Sequence, residues 1–412
     1  MKNNKKQINI HVEKFSIHTR PEIIESKREE YIAYGEDNNY FQFLIDLYIN
    51  STTNNSIING ISKIIFGKGI DVKNADRHAE DYARFKIMLS DKDTKNLIMD
   101  RKLLGMASMQ VSYKNGKISK LTHFPMNTLR AEKCDEEGNI RAYYYHPDWV
   151  NAKPSDEPMR IPTFGFGNNK GNEIYIIKPY VPGYFYYTPV DYAGALDYAL
   201  LESEISEYLI NDTMNGFSGT KVVNFNNGVP DEEKQNLIKG KVLEKLTGSR
   251  GNKVIIAFND NQESKTTVDD IPLNDAPAHY EYLSNECSNK MIVGHRVTSP
   301  LLIGVRTENN GLGSNADEIE SAYKLFMNIT IKPYQDEMVD ALNEILAFNG
   351  MVLDLYFKPL SPLDFEDVQE LLDAGVDEEV IEEETGVEVE ETNLSKEDKD
   401  SLYKWIKNKF KK

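Results

Sequence analysis

The chain has 412 residues, 40% of them hydrophobic, with 23 Tyr, 17 Phe and a formal net charge of −18. That length holds two or three domains of ordinary size, and the surplus acid is the reverse of what a protein needs to grip nucleic acid by neutralising phosphates. Mean hydropathy is −0.54, no run of about 18 apolar residues offers a membrane span, and the two cysteines, Cys134 and Cys287, make neither a metal cluster nor a disulfide framework, which suits a reducing interior.

The start, MKNNKKQINIHVEKF, is basic with no apolar stretch behind it, so no secretory signal is expected. Helical spacing runs through Phe43, Leu44, Leu47, Tyr48, Ile57, Ile58, Ile61 and Ile64 and stops at Gly67 and Gly69. A second helical stretch leads into DRKLLGMASMQVSYKNGKISKLTHFP. There Met109, Val111 and Tyr113 alternate, Asn115-Gly116 supplies a turn, and Ile118 and Leu121 begin the return of a hairpin. CDEEGNIRAYYYHP and NEIYIIKPY read as further strands.

After Pro189 the character changes. DYAGALDYALLESEISEYLINDTMNG predicts a helix with Asp191 as its cap and Gly216 as its stop. Strand TKVVNF (220–225), a helix opened by Pro230 and Asp231, and strand KVIIAF (253–258) make a small α/β lobe. PAHYEYLSNECSNKMIVGHRV is helical again. A polar, glycine-bearing loop then precedes the longest helix, predicted from Ala316 to Phe348, with Ser314 or Asn315 as cap and Asp317 or Glu318 completing a capping box. At the usual rise it is about 48 Å long. Pro333 removes one of its hydrogen bonds, so a kink near Ile329 is expected.

MVLDLYFKPL reads as a strand. The tail from Ser361 to Lys412 holds 17 Asp and Glu against 7 Lys and Arg, a net of −10. Within it, LDFEDVQELLDAG and KEDKDSLYKWIKNKF have the spacing of short amphipathic helices. The fold class is therefore α+β.

Chemistry finds little purchase. The histidines (His11, His18, His78, His123, His146, His279, His295) form no HxH, HExxH or HxxxH pattern. FGFGNNKG (164–171) gives GxGxxxG, not the dinucleotide fingerprint, and FGKGID lacks the Lys-Ser/Thr ending of a phosphate loop, so both read as turns. No GxSxG elbow occurs. The expectation is a non-enzymatic protein without cofactor or metal.

Taken in order, several stretches resemble the portal proteins of tailed bacteriophages over about residues 30–360. They are SIINGISKIIFGKGI with the hairpin region to Arg130; LDYALLESEISEYLINDTMNGFSGTKVVNFNNGVPDEEKQNLIKGKVLEKLTGSRGNKVIIAF; and KMIVGHRVTSPLLIGV with Pro300 and Gly304. The likeness rests on order and local pattern. It implies a ring of roughly twelve subunits at one capsid vertex, a conduit for double-stranded DNA during packaging and ejection, read without sequence recognition. The implied partners are further copies of the chain, the terminase large subunit, and capsid and neck or adaptor proteins, with no membrane. The implied place is the virion, after assembly in the host cytoplasm.

On this resemblance, 1–190 would be the wing, 191–216 and 276–296 the stem helices, and 217–275 the clip. The tunnel-loop region would be 297–314, the long kinked helix and strand 315–360, and the acidic helical crown 361–412. Arg306, Thr307, Glu308, Asn309, Asn310, Gly311 and Gly313 would line the channel. The glycines and asparagines permit positive φ beside a moving duplex, and Glu308 keeps Arg306 from forming a purely basic, braking collar. Asn227, Asp231, Glu232, Lys245 and Arg250 would meet the motor or neck. Glu202, Glu204 and Glu207 would face the lumen or a neighbouring subunit. Two other readings stay open: another ring-forming phage structural or adaptor protein, and an intracellular enzyme whose site the sequence does not display.

Overall fold

The computed structural model describes residues 23–25, 29–153, 155–214, 221–225, 230, 234–236, 238, 254–258, 276–304 and 316–360. The expected channel loop, the five expected motor-contact residues, the tail from 361, the helix stop at Gly216 and the caps at Ser314 and Asn315 lie outside them.

A short hairpin, β1 (Ile23–Glu25) and β2 (Ile32–Tyr34), opens the described chain. The first helical stretch forms two helices, α1 (Tyr40–Asn50) and α2 (Thr52–Phe66). The break falls at Ser51, whose extended backbone lets its hydroxyl accept the Asn54 N–H at 3.2 Å and cap α2. Gly67, with φ 56°, ends α2; a Cβ there would sit 2.1 Å from the Lys358 carbonyl, so glycine is required by both conformation and contact. Then come β3 (Ile70–Val72), α3 (Ala79–Met88) and α4 (Asp91–Leu104), the last capped by Ser90, which accepts the Asp93 N–H at 3.1 Å.

The predicted hairpin is β4 (Ala107–Lys114) and β5 (Lys117–Phe124). Asn115 and Gly116 take φ 54° and 74°, the two positive values that a two-residue turn needs to match strand twist. Strands β6 (Leu129–Ala131), β7 (Ala142–Tyr145) and β8 (Met159–Pro162) form an antiparallel sheet in the order 6-7-8. Strand β9 (Asn172–Ile177) joins the hairpin on its other edge, giving the order 5-4-9.

Helix α5 (Leu196–Met214) follows, entered through a 3-10 turn at Ala193–Ala195. Strands β10 (Lys221–Phe225) and β11 (Val254–Phe258) pair in parallel. Next are α6 (Ala276–Gly294) and α7 (Ala316–Phe326). The kink predicted near Ile329 is a wide π-helical turn, Met327–Ile331, in which the Lys332 N–H reaches back five residues to the Met327 carbonyl. The helix resumes as α8 (Lys332–Phe348). Pro333 cannot donate to the preceding turn, and widening absorbs the missing bond without breaking the rod. Strand β12 (Leu355–Phe357) then returns to pair antiparallel with β3.

Two buried clusters meet at α2 and α4. One gathers Ile57, Ile61 and Ile65 of α2 with Val111 and Leu121 of the hairpin, Met291 of α6, and Phe326, Ile331, Met338 and Ile345 of the kinked helix. The other gathers Phe41 and Leu44 of α1, Ile58 of α2, Leu104 of α4, and Tyr187 and Tyr192. Adjacent residues Ile57 and Ile58 thus serve different cores, and α2 is apolar on two sides because it is buried on two sides. Each fully buried Ile, Leu or Phe contributes about 1.5–3 kcal/mol. The molecule is α+β, as the sequence predicts.

Candidate functional site

Helices α5 and α6 each have 19 residues. They run antiparallel: near one end Ala195 meets Gly294, and near the other Tyr208 stacks on Tyr280 at 5.0 Å. A methyl on Gly294 would come within 2.5 Å of the Ala195 methyl, so the helices close at that end because both residues are small. Ala199, Ile205, Cys287 and Met291 fill the seam. Burial pushes the Cys287 thiol up to about 11, with Glu202 and Glu286 adding to the shift, so it is held as a neutral packing group.

The outward faces are unusual. On α5, Asp197, Leu201 and Glu204 recur at helical spacing and are all exposed, as are Glu207, Leu209 and Ile210. On α6, Tyr282, Asn285, Asn289 and Val293 form a second exposed stripe, with Val293 72% exposed. Where the kinked helix widens, Leu325 and Ile329 are also exposed. A pair of helices has one mutual seam, and both helices carry apolar side chains exposed outside it among the described residues.

The predicted carboxylates divide. Glu204 and Glu207 are exposed. Glu202 is taken by its own chain: its carboxylate accepts the Thr53 N–H at 3.1 Å, the Thr53 hydroxyl at 2.6 Å, and the Ser51 hydroxyl. It sits where the unpaired N–H groups and positive dipole end of α2 favour an anion, and it fastens α5 to α2.

Below this staple lies a buried polar junction that sequence reasoning missed. Asp191 does not cap a helix. Its carboxylate accepts from the Lys102 ammonium at 2.9 and 3.2 Å, because a lysine with no exposed side-chain surface needs a counter-charge. Burial would raise the Asp191 pKa, but Lys102 holds it below its ordinary value. Burial lowers Lys102, with Asp191 opposing.

Next to Lys102, Arg101 makes a two-pronged pair with Glu337 of α8, at 2.8 and 3.1 Å, and covers the Tyr334 ring at 4.7 Å. His295, just past α6, stacks on Tyr192 at 4.2 Å, and its Nε2 lies 3.0 Å from Asn54 Oδ1. Burial, then Lys102, pushes its pKa well below the ordinary histidine value, so the ring is neutral. Residues of α2, α4, α6, α8 and the entry to α5 therefore converge on one node. The signal was present: RKLLGM puts two cations directly beside apolar helix positions.

The glycine-rich turn at 164–171 closes on the chain's own carboxylate. Glu173, 2% exposed, accepts the Gly165 N–H at 3.0 Å, the Asn169 N–H at 3.4 Å and the Tyr113 hydroxyl at 2.9 Å. That agrees with reading it as a turn. Among the described residues no group of three or more His, Cys, Asp or Glu is placed to hold a metal, and no helix is long and apolar enough to cross a membrane.

No family model matches the sequence, and no curated protein does. Solved structures do. One is a chain of the virion of a native gene transfer agent particle, at 12% identity and TM-score 0.52, covering 89% of this chain and 95% of that one. Another comes from the neck of an empty gene transfer agent particle, at 14% identity and TM-score 0.52, covering 88% of this chain and 92% of that one. The chain shares its fold with these particle proteins over nearly its whole length.

Proposed function

We propose that the chain is a portal-type subunit of a phage-like particle, copies of which close into a ring that conducts double-stranded DNA at one capsid vertex. The observation that carries this reading is the helix pair α5–α6, whose acid-and-apolar stripe (Asp197, Leu201, Glu204) and apolar-and-amide stripe (Tyr282, Asn285, Asn289, Val293) are both exposed among the described residues. Two different faces that each want a partner suit a heterologous contact, α5 of one copy against α6 of the next, and such contacts close into rings. The fold shared with gene transfer agent chains supports the same reading.

In this reading α5 and α6 are the stem and the parallel pair β10–β11 belongs to the clip that meets the terminase motor and, later, neck proteins. Segment 306–313 lines the bore, and the acidic tail forms the crown. The chain itself hydrolyses nothing. Of the three glutamates expected there, Glu204 and Glu207 are exposed toward the lumen or a neighbour, and Glu202 is already committed within its own subunit. Acid near the bore repels phosphate and lets a duplex slide.

Mass photometry of the purified protein with negative-stain imaging tests this. The expected result is a ring of roughly twelve copies around a central hole, and a compact monomer or dimer at all concentrations overturns it. Deleting Asn309–Ser314 should leave the ring intact and impair DNA packaging or retention, measured as protected DNA per particle. Loss of the ring itself would make that segment structural.

A further inference from the structure

Two exposed rows of like charge, opposite in sign, are built into this chain. The basic row is at the β4–β5 hairpin. No Asp or Glu occurs between Asp100 and Glu132, and Lys114, Lys117 and Lys120 are exposed around the hairpin tip with no carboxylate partner among the described residues. Lys114 and Lys117 lie directly opposite each other across the turn, where like charges destabilise a hairpin. The tip is nonetheless held in place. The Asn349 side chain accepts the Ile118 N–H at 2.9 Å and donates to the Ile118 carbonyl at 2.8 Å.

The acidic row is on α8. Asp336, Asp340 and Glu344 recur at every fourth residue and are all exposed, an arrangement in which each neighbouring pair repels. Glu344 accepts the Tyr175 hydroxyl, whereas Asp336 and Asp340 have no cationic partner among the described residues. Glu337, beside them on the same helix, shows the contrast, being paired with Arg101 at 2.8 Å.

The two rows do not meet within one chain. Glu344 reaches Tyr175 of β9, which pairs with Met109 of β4. Lys114 is five residues further along β4, about 17 Å away. Phe348 packs on Tyr113 near the tip, so Asp340 and Asp336 lie one and two helical turns beyond Glu344, further from the lysines still. Each row therefore needs opposite charge from outside its own chain, and a second copy carries it on a rigid element. We propose that Lys114, Lys117 and Lys120 of one copy dock on Asp336, Asp340 and Glu344 of the next. Ile87, 80% exposed in the cleft it shares with Lys117, adds apolar area to the basic face, as Phe348, 42% exposed, does at the end of the acidic row. Complementary charge of this kind fixes which faces meet and in what register. The two faces differ, so the contact is heterologous and repeats around an axis. It rests on the ring reading and adds to that ring a second contact, apart from the α5–α6 pair.

The test uses full-length chain co-assembled from unlabelled and 15N-labelled protein. A carbodiimide, which joins amines to carboxylates in contact, should link Lys114, Lys117 or Lys120 to Asp336, Asp340 or Glu344 in peptide pairs of mixed label. By mass photometry, K114E/K117E/K120E should raise the concentration for half-assembly on the order of tenfold, and so should D336K/D340K. Combining the two sets should restore assembly to near the wild-type concentration, with unfolding midpoints showing that every variant is folded. A ring whose links join these residues only within one label, or never, overturns the proposal and leaves the ring standing, as does failure of the combined variant to recover. Wild-type protein that forms no ring at any concentration overturns the ring reading, and this contact with it.

Discussion

Among the described residues Arg101, Lys102 and Arg130 are buried cations, and the chain accommodates the last two in opposite ways. Arg130, 2% exposed, has no carboxylate partner among the described residues. Its guanidinium donates to the Asn127 carbonyl at 3.0 Å, the Leu129 carbonyl at 2.8 Å and the Asn38 carbonyl at 2.9 Å, and lies between the Phe41 and Trp149 rings at 5.2 and 5.1 Å. Burial lowers its pKa to about 10, with neighbouring tyrosines opposing, which still leaves it charged. Lys102 instead takes Asp191, plus the faces of Tyr192 and Tyr334 at 5.2 and 5.5 Å. A guanidinium spreads its charge over a plane that carbonyls and rings can surround, whereas a compact ammonium asks for an anion. Both arrangements join elements distant in sequence: the first ties β6 to the residues just before α1 and to Phe41 of α1, and the second ties α4 to the entry of α5, so it sets how the α5–α6 pair is rooted in the body.

Removing the anion is the sharpest way to break this comparison. Asp191→Asn should cost about 3–5 kcal/mol in urea unfolding, since it strands a buried ammonium. Adding Lys102→Met should recover much of that loss; if it does not, the carboxylate matters for something other than Lys102. Next in size, Arg130→Lys should cost about 2 kcal/mol, because an ammonium cannot serve the carbonyls of residues 38, 127 and 129 together. An unchanged unfolding midpoint would show that charge, not planarity, is what that site uses.

The smallest effect is in pH. The fold holds His295 neutral, with its pKa well below the ordinary value, while the unfolded chain protonates it near about 6.5. Stability from this group is therefore complete above that pH and is lost as pH falls below it, by up to about 1.4 kcal/mol per unit. His295→Gln should remove that slope from the difference between the two proteins' unfolding curves at pH 5 and 7.

Features decided within a few residues were legible. Asn115-Gly116 marked its turn, Pro333 its kink, and the spacing of Ile57, Ile61 and Ile64 a buried face. Features decided by partners far along the chain were not. Asp191 resembles a helix cap until Lys102, 89 residues earlier, is placed against it. Glu202 resembles a surface acid until Thr53, 149 residues earlier, donates to it. The exposed stripes on α5 and α6 were hidden for another reason. Sequence spacing shows that a helix is apolar on several sides, but only the packed chain shows which of those sides its own residues leave uncovered.

The wide turn at Met327–Ile331 takes five residues to come round, and so Phe326 and Ile331 both point into the same core. One extra residue in that turn fixes the azimuth of everything before it. Excising any single residue from 327–331 would restore ordinary winding and swing residues 316–326 by about 100° around the rod. The facing of α7 is thus stored in the count of residues beside a proline, and the side chains of α7 itself have no part in setting it.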